Sequence, residues 1–344
     1  MVNPEKSYRN TFILLVLTLV IIATVNISLG SISIPLDQIF LSFIDGQVEK
    51  ESWKSIILNY RLPKAITAII VGSGLSISGL LMQTLFRNPL AGPFVLGISS
   101  GASLGVAILI LGASFFGANI TAYAFTNWGQ AIAASLGAFL VLSAVMLAAI
   151  KVRNTMSILI IGLMFGSLTA AVISVLAYFS SANQLQQYLF WSFGSLGNLS
   201  WKEIIALNIT FFIGISLVIF IIKPLNSLLL GENYAKSMGV NVKRTRNLTL
   251  ISTSLLTGVI TAFSGPIAFI GLAVPHLTKL LFSTSNHKIL LPAVAISGAI
   301  IMLICDSIAQ LPNSEYTLPI NAITSLFGAP IIIWLLIRKR KINY

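Results

Sequence analysis

Acidic side chains are scarce in this chain, nine in 344 residues, and charged residues of both signs make up only 9%. A soluble globular domain carries about 25% charged residues, so a fold solvated over its whole surface is excluded. Cysteine is nearly absent: Cys305 stands alone inside an apolar run, which rules out an intramolecular disulfide. Two histidines, one cysteine and scattered acids give no cluster with the spacing of a zinc or iron site. There is no nucleophile–base pair and no GxxxxGK[ST] phosphate loop. Neither chemistry on a substrate, nor a bound cofactor or metal, nor ATP binding by that route is expected of this chain.

What the chain has is hydrophobic residues, 56% of the total, gathered into runs. A hydrocarbon core of roughly 30 Å needs about 20 helical residues per crossing. Ten runs approach that length: 11–30, 62–84, 92–112, 129–150, 156–179, 201–222, 247–264, 267–282, 289–311 and 318–337. The eighth is short and interrupted by Pro275 and Lys279. The expected fold is an all-α integral membrane protein of ten helices, a single transmembrane domain over 1–344. With the N-terminus inside, 16 of the 21 Lys and Arg fall on the inner side and five on the outer, Lys50, Lys54, Arg61, Lys64 and Lys202. The positive-inside rule therefore places both termini in the cytoplasm. The net charge of +12 then belongs to the face turned toward anionic lipid, and nucleic acid is not an expected partner. The run after Lys6 and Arg9 is longer than a signal-peptide core and lacks a small-x-small cleavage site, so it reads as an uncleaved first helix.

Inside lipid, helices associate through small residues. Gly97, Gly101 and Gly105, Gly162 and Gly166, and Gly74 with Ser78 recur every four residues. Contacts within one bundle and a subunit interface are both compatible with them. The stretch Asn88-Pro89-Leu90-Ala91-Gly92-Pro93 forces a tight non-helical turn, and Ser264-Gly265-Pro266 breaks the chain again. Irregular backbone at membrane depth survives only when buried in protein or lining a cavity, so either break is a plain turn or the border of a pathway. An outer segment over 180–201 carries Gln184, Gln187, Tyr188 and Trp191, as interface anchors or as the mouth of a route. In the other outer stretch, 31–60, Pro35, Leu36, Ile39, Phe40 and Phe43 suggest a short helix on the membrane surface.

An ion-driven transporter needs ionisable groups near mid-membrane. Asp306 is the only acid in an apolar run and suits a hydrogen bond to a neighbouring helix end better than a proton relay. His276, after Pro275, reads as a packing residue. The long polar inner loop 223–246 holds LGENYAKSMGV at 230–240, where Gly231 and Gly239 bracket about two helical turns. So short a helix is unstable alone in water and should dock on the membrane surface or on a partner protein.

These segments resemble the FecCD-type permeases of binding-protein-dependent ABC importers for iron–siderophore, haem and vitamin B12. RLPKAITAIIVGSGLSISGLLMQTLFRNPLAGPFVLGISSGA at 61–102 is similar to the family's second and third helices, and LGENYAKSMGV to its coupling loop. GPIAFIGLAVPH at 265–276 and LPINAITSLFGAP at 318–330 resemble its C-terminal signature. The resemblance implies a type II ABC importer architecture in the bacterial cytoplasmic membrane. The partners implied are a second permease subunit, two cytoplasmic ATPases that bind ATP and Mg2+, and an extracytoplasmic substrate-binding protein. Leu230, Gly231, Glu232, Tyr234, Ala235, Met238 and Gly239 would couple to the ATPase. Arg61 and Lys64 match cations that pair with carboxylates on the binding protein. Ferric siderophore ranks first as cargo because that group is the family's largest, with haem and cobalamin as alternatives. An ion-gradient-driven transporter is the rival class. The sequence departs from the family where Gln310 replaces an arginine, Thr317 a glutamate and Asn321 a glycine, and Glu315 could stand in for the missing acid.

Overall fold

The computed structural model describes residues 8–32, 34–44, 46, 48–113, 124, 126–151, 155–311, 314 and 316–340. Among them the regular structure is entirely helical. Seven helices are long and apolar enough to cross a membrane. They are α1 (Arg9–Ser28), α4 (Leu62–Leu85, continuous with α3, Glu51–Ile56), α6 (Asn127–Lys151), α7 (Thr155–Tyr178), α9 (Trp201–Leu228), α11 (Val242–Ser264) and α13 (His287–Ala309). Three apolar helices are shorter: α5 (Ile98–Leu111), α12 (Ile270–Phe282) and α14 (Ile320–Arg340, whose apolar part ends at Leu335). Outside these lie α2 (Leu36–Phe43), α8 (Ala182–Phe193) and α10 (Glu232–Ser237).

The helix α4 is the axis of the bundle, with 20 of its 24 residues buried among α11, α12 and α13. Its entry shows how the chain absorbs a proline. Pro63 has no N–H to give the preceding turn, and Ile57–Arg61 widens into a π-turn, so that α3 runs into α4 without a break. By contrast α1 and α7 are peripheral, with large apolar side chains such as Leu14, Ile21, Met164 and Val175 facing outward.

The small-residue repeats pack helices within this one chain. A Cβ at Gly101 would stand 2.5 Å from the Gly137 carbonyl of α6, and one at Gly105 would run into the Ala133 carbonyl. Gly74 receives Ile260 of α11, and Gly97 approaches the Gly162 carbonyl of α7. Backbones this close exchange dispersion energy over long stretches, which is what holds helices together where lipid and side chain are equally apolar.

The third and eighth spans begin later than their hydropathy predicts. Pro93–Leu96 forms a single 3-10 turn, and α5 starts only at Ile98, after Gly97 adopts a left-handed φ of 74°. Residues 265–269 are non-helical, ending at Phe269 with a left-handed φ of 66°, and α12 starts at Ile270. The two irregular segments meet at the start of α12: Gly271 abuts the Leu75 carbonyl and the Pro93 ring, and a Cβ at Gly79 would collide with the Gly271 carbonyl. Breaks that open onto one another are buried in protein, as non-helical backbone in a membrane must be.

Candidate functional site

The two ends of the bundle differ in charge. At the α10 end stand Arg9, Arg87, Lys223, Lys236, Lys243, Arg244, Arg246, Lys279 and Lys288, with Glu232 the single acid among the described residues there. Lys6, Arg153 and Lys341, which the hydropathy reading assigns to the same side, lie outside the described residues.

From that end the coupling-loop candidates project as a compact knuckle. Gly231 opens it at φ 112° and Gly239 closes it at φ 79°, conformations that strain any side-chain-bearing residue. The closure is a Schellman motif: Val240 N–H donates to the Ala235 carbonyl and Gly239 N–H to the Lys236 carbonyl, both at 3.0 Å. Ala235 is fully buried against α9 and α11, which pins the knuckle. Leu230, Tyr234 and Met238 are 64%, 51% and 58% exposed. A cleft lined by Phe86, Arg87, Leu230, Glu232 and Tyr234 runs between the knuckle and the end of α4. Three large apolar or aromatic groups are thus held outward on a six-residue helix and its two flanks.

Beneath the knuckle lies a polar tie that sequence reasoning passed over. His287 Nδ1 donates to Asn226 Oδ1 at 2.7 Å, and the same oxygen accepts the His287 backbone N–H at 2.9 Å. Its Nε2 sits 2.9 Å from the Thr84 hydroxyl, and Asn226 Nδ2 donates to Asn286 Oδ1 at 3.0 Å. One imidazole thus links the ends of α4, α9 and α13 at the point where the knuckle leaves the bundle. The sequence offered only Asn286 just before a helix, an N-cap signal, as a hint.

At the opposite end the candidate docking cations are engaged inside the protein. Arg61 is 9% exposed and donates to the carbonyls of Ile27 at 2.9 Å, Ser28 at 2.8 Å and Ile32, tying the end of α1 and the loop after it to the start of α4. Lys64 Nζ lies 3.1 Å from Asp306 Oδ1. Asp306 Oδ2 accepts from Asn26 Nδ2 at 2.9 Å and Gln310 Nε2 at 2.8 Å. Arg61 and Lys64, the two expected docking cations, thus each have partners inside the chain, Arg61 buried and Lys64 partly exposed. Gln310, standing where the family has an arginine, completes this cluster instead of facing outward. Glu315 lies outside the described residues.

The remaining candidates gather around the two breaks. Asn88 Oδ1 accepts the Leu90 N–H at 2.9 Å, an Asx turn, and the Pro89 carbonyl accepts from His276 Nε2 at 2.8 Å. Through this contact His276, beside buried Pro275, ties α12 to the loop after α4. Gly265, at φ 72°, lets α11 turn against the Trp191 carbonyl of α8, where a Cβ would sit at 2.6 Å. Trp191 stacks on Tyr188, and Gln187 donates to the Ala124 carbonyl at 3.2 Å. Asn321, the other departure from the family, accepts the Ala268 N–H at 3.0 Å and so satisfies a donor in the broken stretch.

The FecCD transport family model matches residues 16–338. Over 328 residues the chain is 34% identical to the hemin transport system permease protein HmuU of Yersinia pestis, covering 95% of each chain. Over 288 residues it is 35% identical to the vitamin B12 import system permease protein BtuC of Salmonella typhi, covering 82% of this chain and 83% of that one. The fold superposes with a TM-score of 0.84 and 30% identity on a transporter solved in an inward-facing conformation and assigned to the metal-chelate type of ABC transporter, covering 96% of this chain and all of that one. PsaBC of Streptococcus pneumoniae, at TM-score 0.55 and 18% identity, shares the fold alone.

Proposed function

This chain belongs to the FecCD transport family, and from that premise we propose that it is the membrane-spanning permease of an ATP-driven importer, forming the pathway for a large metal chelate. Ferric siderophore is the first candidate cargo, and haem and cobalamin are the alternatives that two relatives' names favour. The seven long and three short apolar helices then make ten crossings, and the cation-rich α10 end faces the cytoplasm with both termini.

The observation that carries this reading is the α10 knuckle, whose exposed Leu230, Tyr234 and Met238 offer a partner ATPase a grip on the bundle. Each of two such subunits binds ATP with Mg2+, and their closure moves the knuckle and, through the His287 tie, the ends of α4, α9 and α13. A second permease, identical or related, completes the pathway, and an extracytoplasmic binding protein delivers the chelate to the α8 end. The ion-gradient alternative would need Asp306 to load and release a cation, whereas Lys64, Asn26 and Gln310 already occupy it.

Co-purification of the ATPase with the full-length chain tests the reading. Replacing Leu230, Tyr234 and Met238 together by Ser should abolish recovery of the ATPase while the bundle elutes unchanged. Equal recovery would remove the knuckle from the coupling role.

A further inference from the structure

We propose that the groove between α6 and α11 holds an anionic phospholipid, its phosphate against Lys243 and Arg246 and an acyl chain laid past Gly258. The proposal rests on the chain being embedded in a membrane and not on the cargo or on ATP coupling.

Helices α6, α9 and α11 enclose an apolar groove of about 770 Å³ that opens to the outside of the bundle. Trp128 and Phe263, edge to face at 5.7 Å between ring centres, wall its far end. Two hydroxyls on its lining are turned away: Ser254 donates to the Leu250 carbonyl at 2.6 Å and Thr210 to the Ala206 carbonyl at 2.9 Å. Further along the same two helices lies a second depression, lined by Ser143 next to Leu142 on α6 and by Leu250 next to Ile251 on α11. There Met146 and Leu147 face Lys243 and Arg246. Neither cation is paired with an acid among the described residues.

The glycine at 258 points the same way. A mid-helix glycine weakens a helix, and elsewhere in this bundle a neighbour fills the space, backbone at Gly72, Gly79 and Gly101 and a side chain at Gly74 and Gly214. A Cβ at Gly258 would meet nothing within 4 Å. The missing side chain therefore opens the groove floor instead of admitting another helix. From Arg246 to Gly258 the helix rises roughly 18 Å, close to the half-thickness of a hydrocarbon core, about 15 Å. Head group and chain thus fit one leaflet in register. A second copy of this chain suits the site less well, because it brings only Glu232 to this end among its described acids and would leave the two cations unmatched.

Native mass spectrometry of the full-length chain, released from vesicles of equimolar phosphatidylglycerol and phosphatidylcholine, tests this. The wild type should retain phosphatidylglycerol selectively. K243Q/R246Q should lose that selectivity by roughly thirtyfold, the electrostatic share of two cations near an anionic surface. G258L should reduce retention of both lipids. No selectivity in the wild type, selectivity unchanged in K243Q/R246Q, or a cysteine at Leu136 cross-linking to its own copy in the membrane would overturn the proposal.

Discussion

Replacing Lys64 by Met removes the one full positive charge paired with Asp306 among the described residues and leaves the carboxylate buried with two amide donors. Breaking a fully buried ion pair from one side costs about 3–5 kcal/mol. Here the Lys64 side chain is 22% exposed, so part of its attraction is already screened, and Asn26 and Gln310 stay in place. The expected loss is therefore about 2–3 kcal/mol. D306N keeps an oxygen for the two amides and strands only a partly hydrated ammonium, a loss of about 1 kcal/mol. If the pair exists as described, K64M/D306N should be no worse than K64M alone, a coupling of roughly 1–2 kcal/mol. Denaturant titration of the purified chain in detergent, followed by helical circular dichroism, measures all four corners of the cycle. Additive losses, with coupling under about 0.5 kcal/mol, would refute the internal pair and return Lys64 to the outer surface as a docking cation.

Three further outcomes are expected. G79A drives a methyl into the Gly271 carbonyl and should destabilise the same titration by about 1–3 kcal/mol or prevent assembly, whereas G258A, with open space around it, should be tolerated. N321G releases the Ala268 N–H and should cost about 1 kcal/mol, visible as faster amide exchange at Ala268 and nowhere on α10. Glu232→Lys or Gly239→Pro should abolish ATP-coupled uptake while leaving the titration of the bundle unchanged; normal uptake in either would count against the coupling assignment.

Much of the fold was legible because hydropathy is a local property: most of the long helices begin and end within a few residues of their apolar runs, while α9 runs on to Leu228 and α11 starts back at Val242, so helix takes up both ends of the expected 223–246 loop. The late starts of α5 and α12 were not. Pro93 and Gly265-Pro266 announce breaks, but their depth is set by the meeting of Gly79 with Gly271, a tertiary contact between residues of no distinctive type. The shape of the α10 knuckle could be read because Gly231 and Gly239 bracket it, and each does adopt a positive φ. The internal partners of Arg61 and Lys64 could not be read, because a cation at a helix entry looks the same whether it faces water or protein. Arg61's partners are main-chain carbonyls near the end of α1, which no residue type encodes, and Lys64's is an acid 242 positions away. The His287 tie stayed hidden for the same reason, since its histidine gains meaning only beside Asn226 and Thr84.

The most direct test of the permease assignment is uptake into vesicles holding this chain with its ATPase and binding protein. Labelled ferric siderophore, haem and cobalamin are offered in competition, with ATP and a proton gradient supplied separately. Uptake of one chelate that requires ATP and ignores the gradient is the predicted result. Uptake that continues without ATP hydrolysis and collapses with the gradient would contradict it.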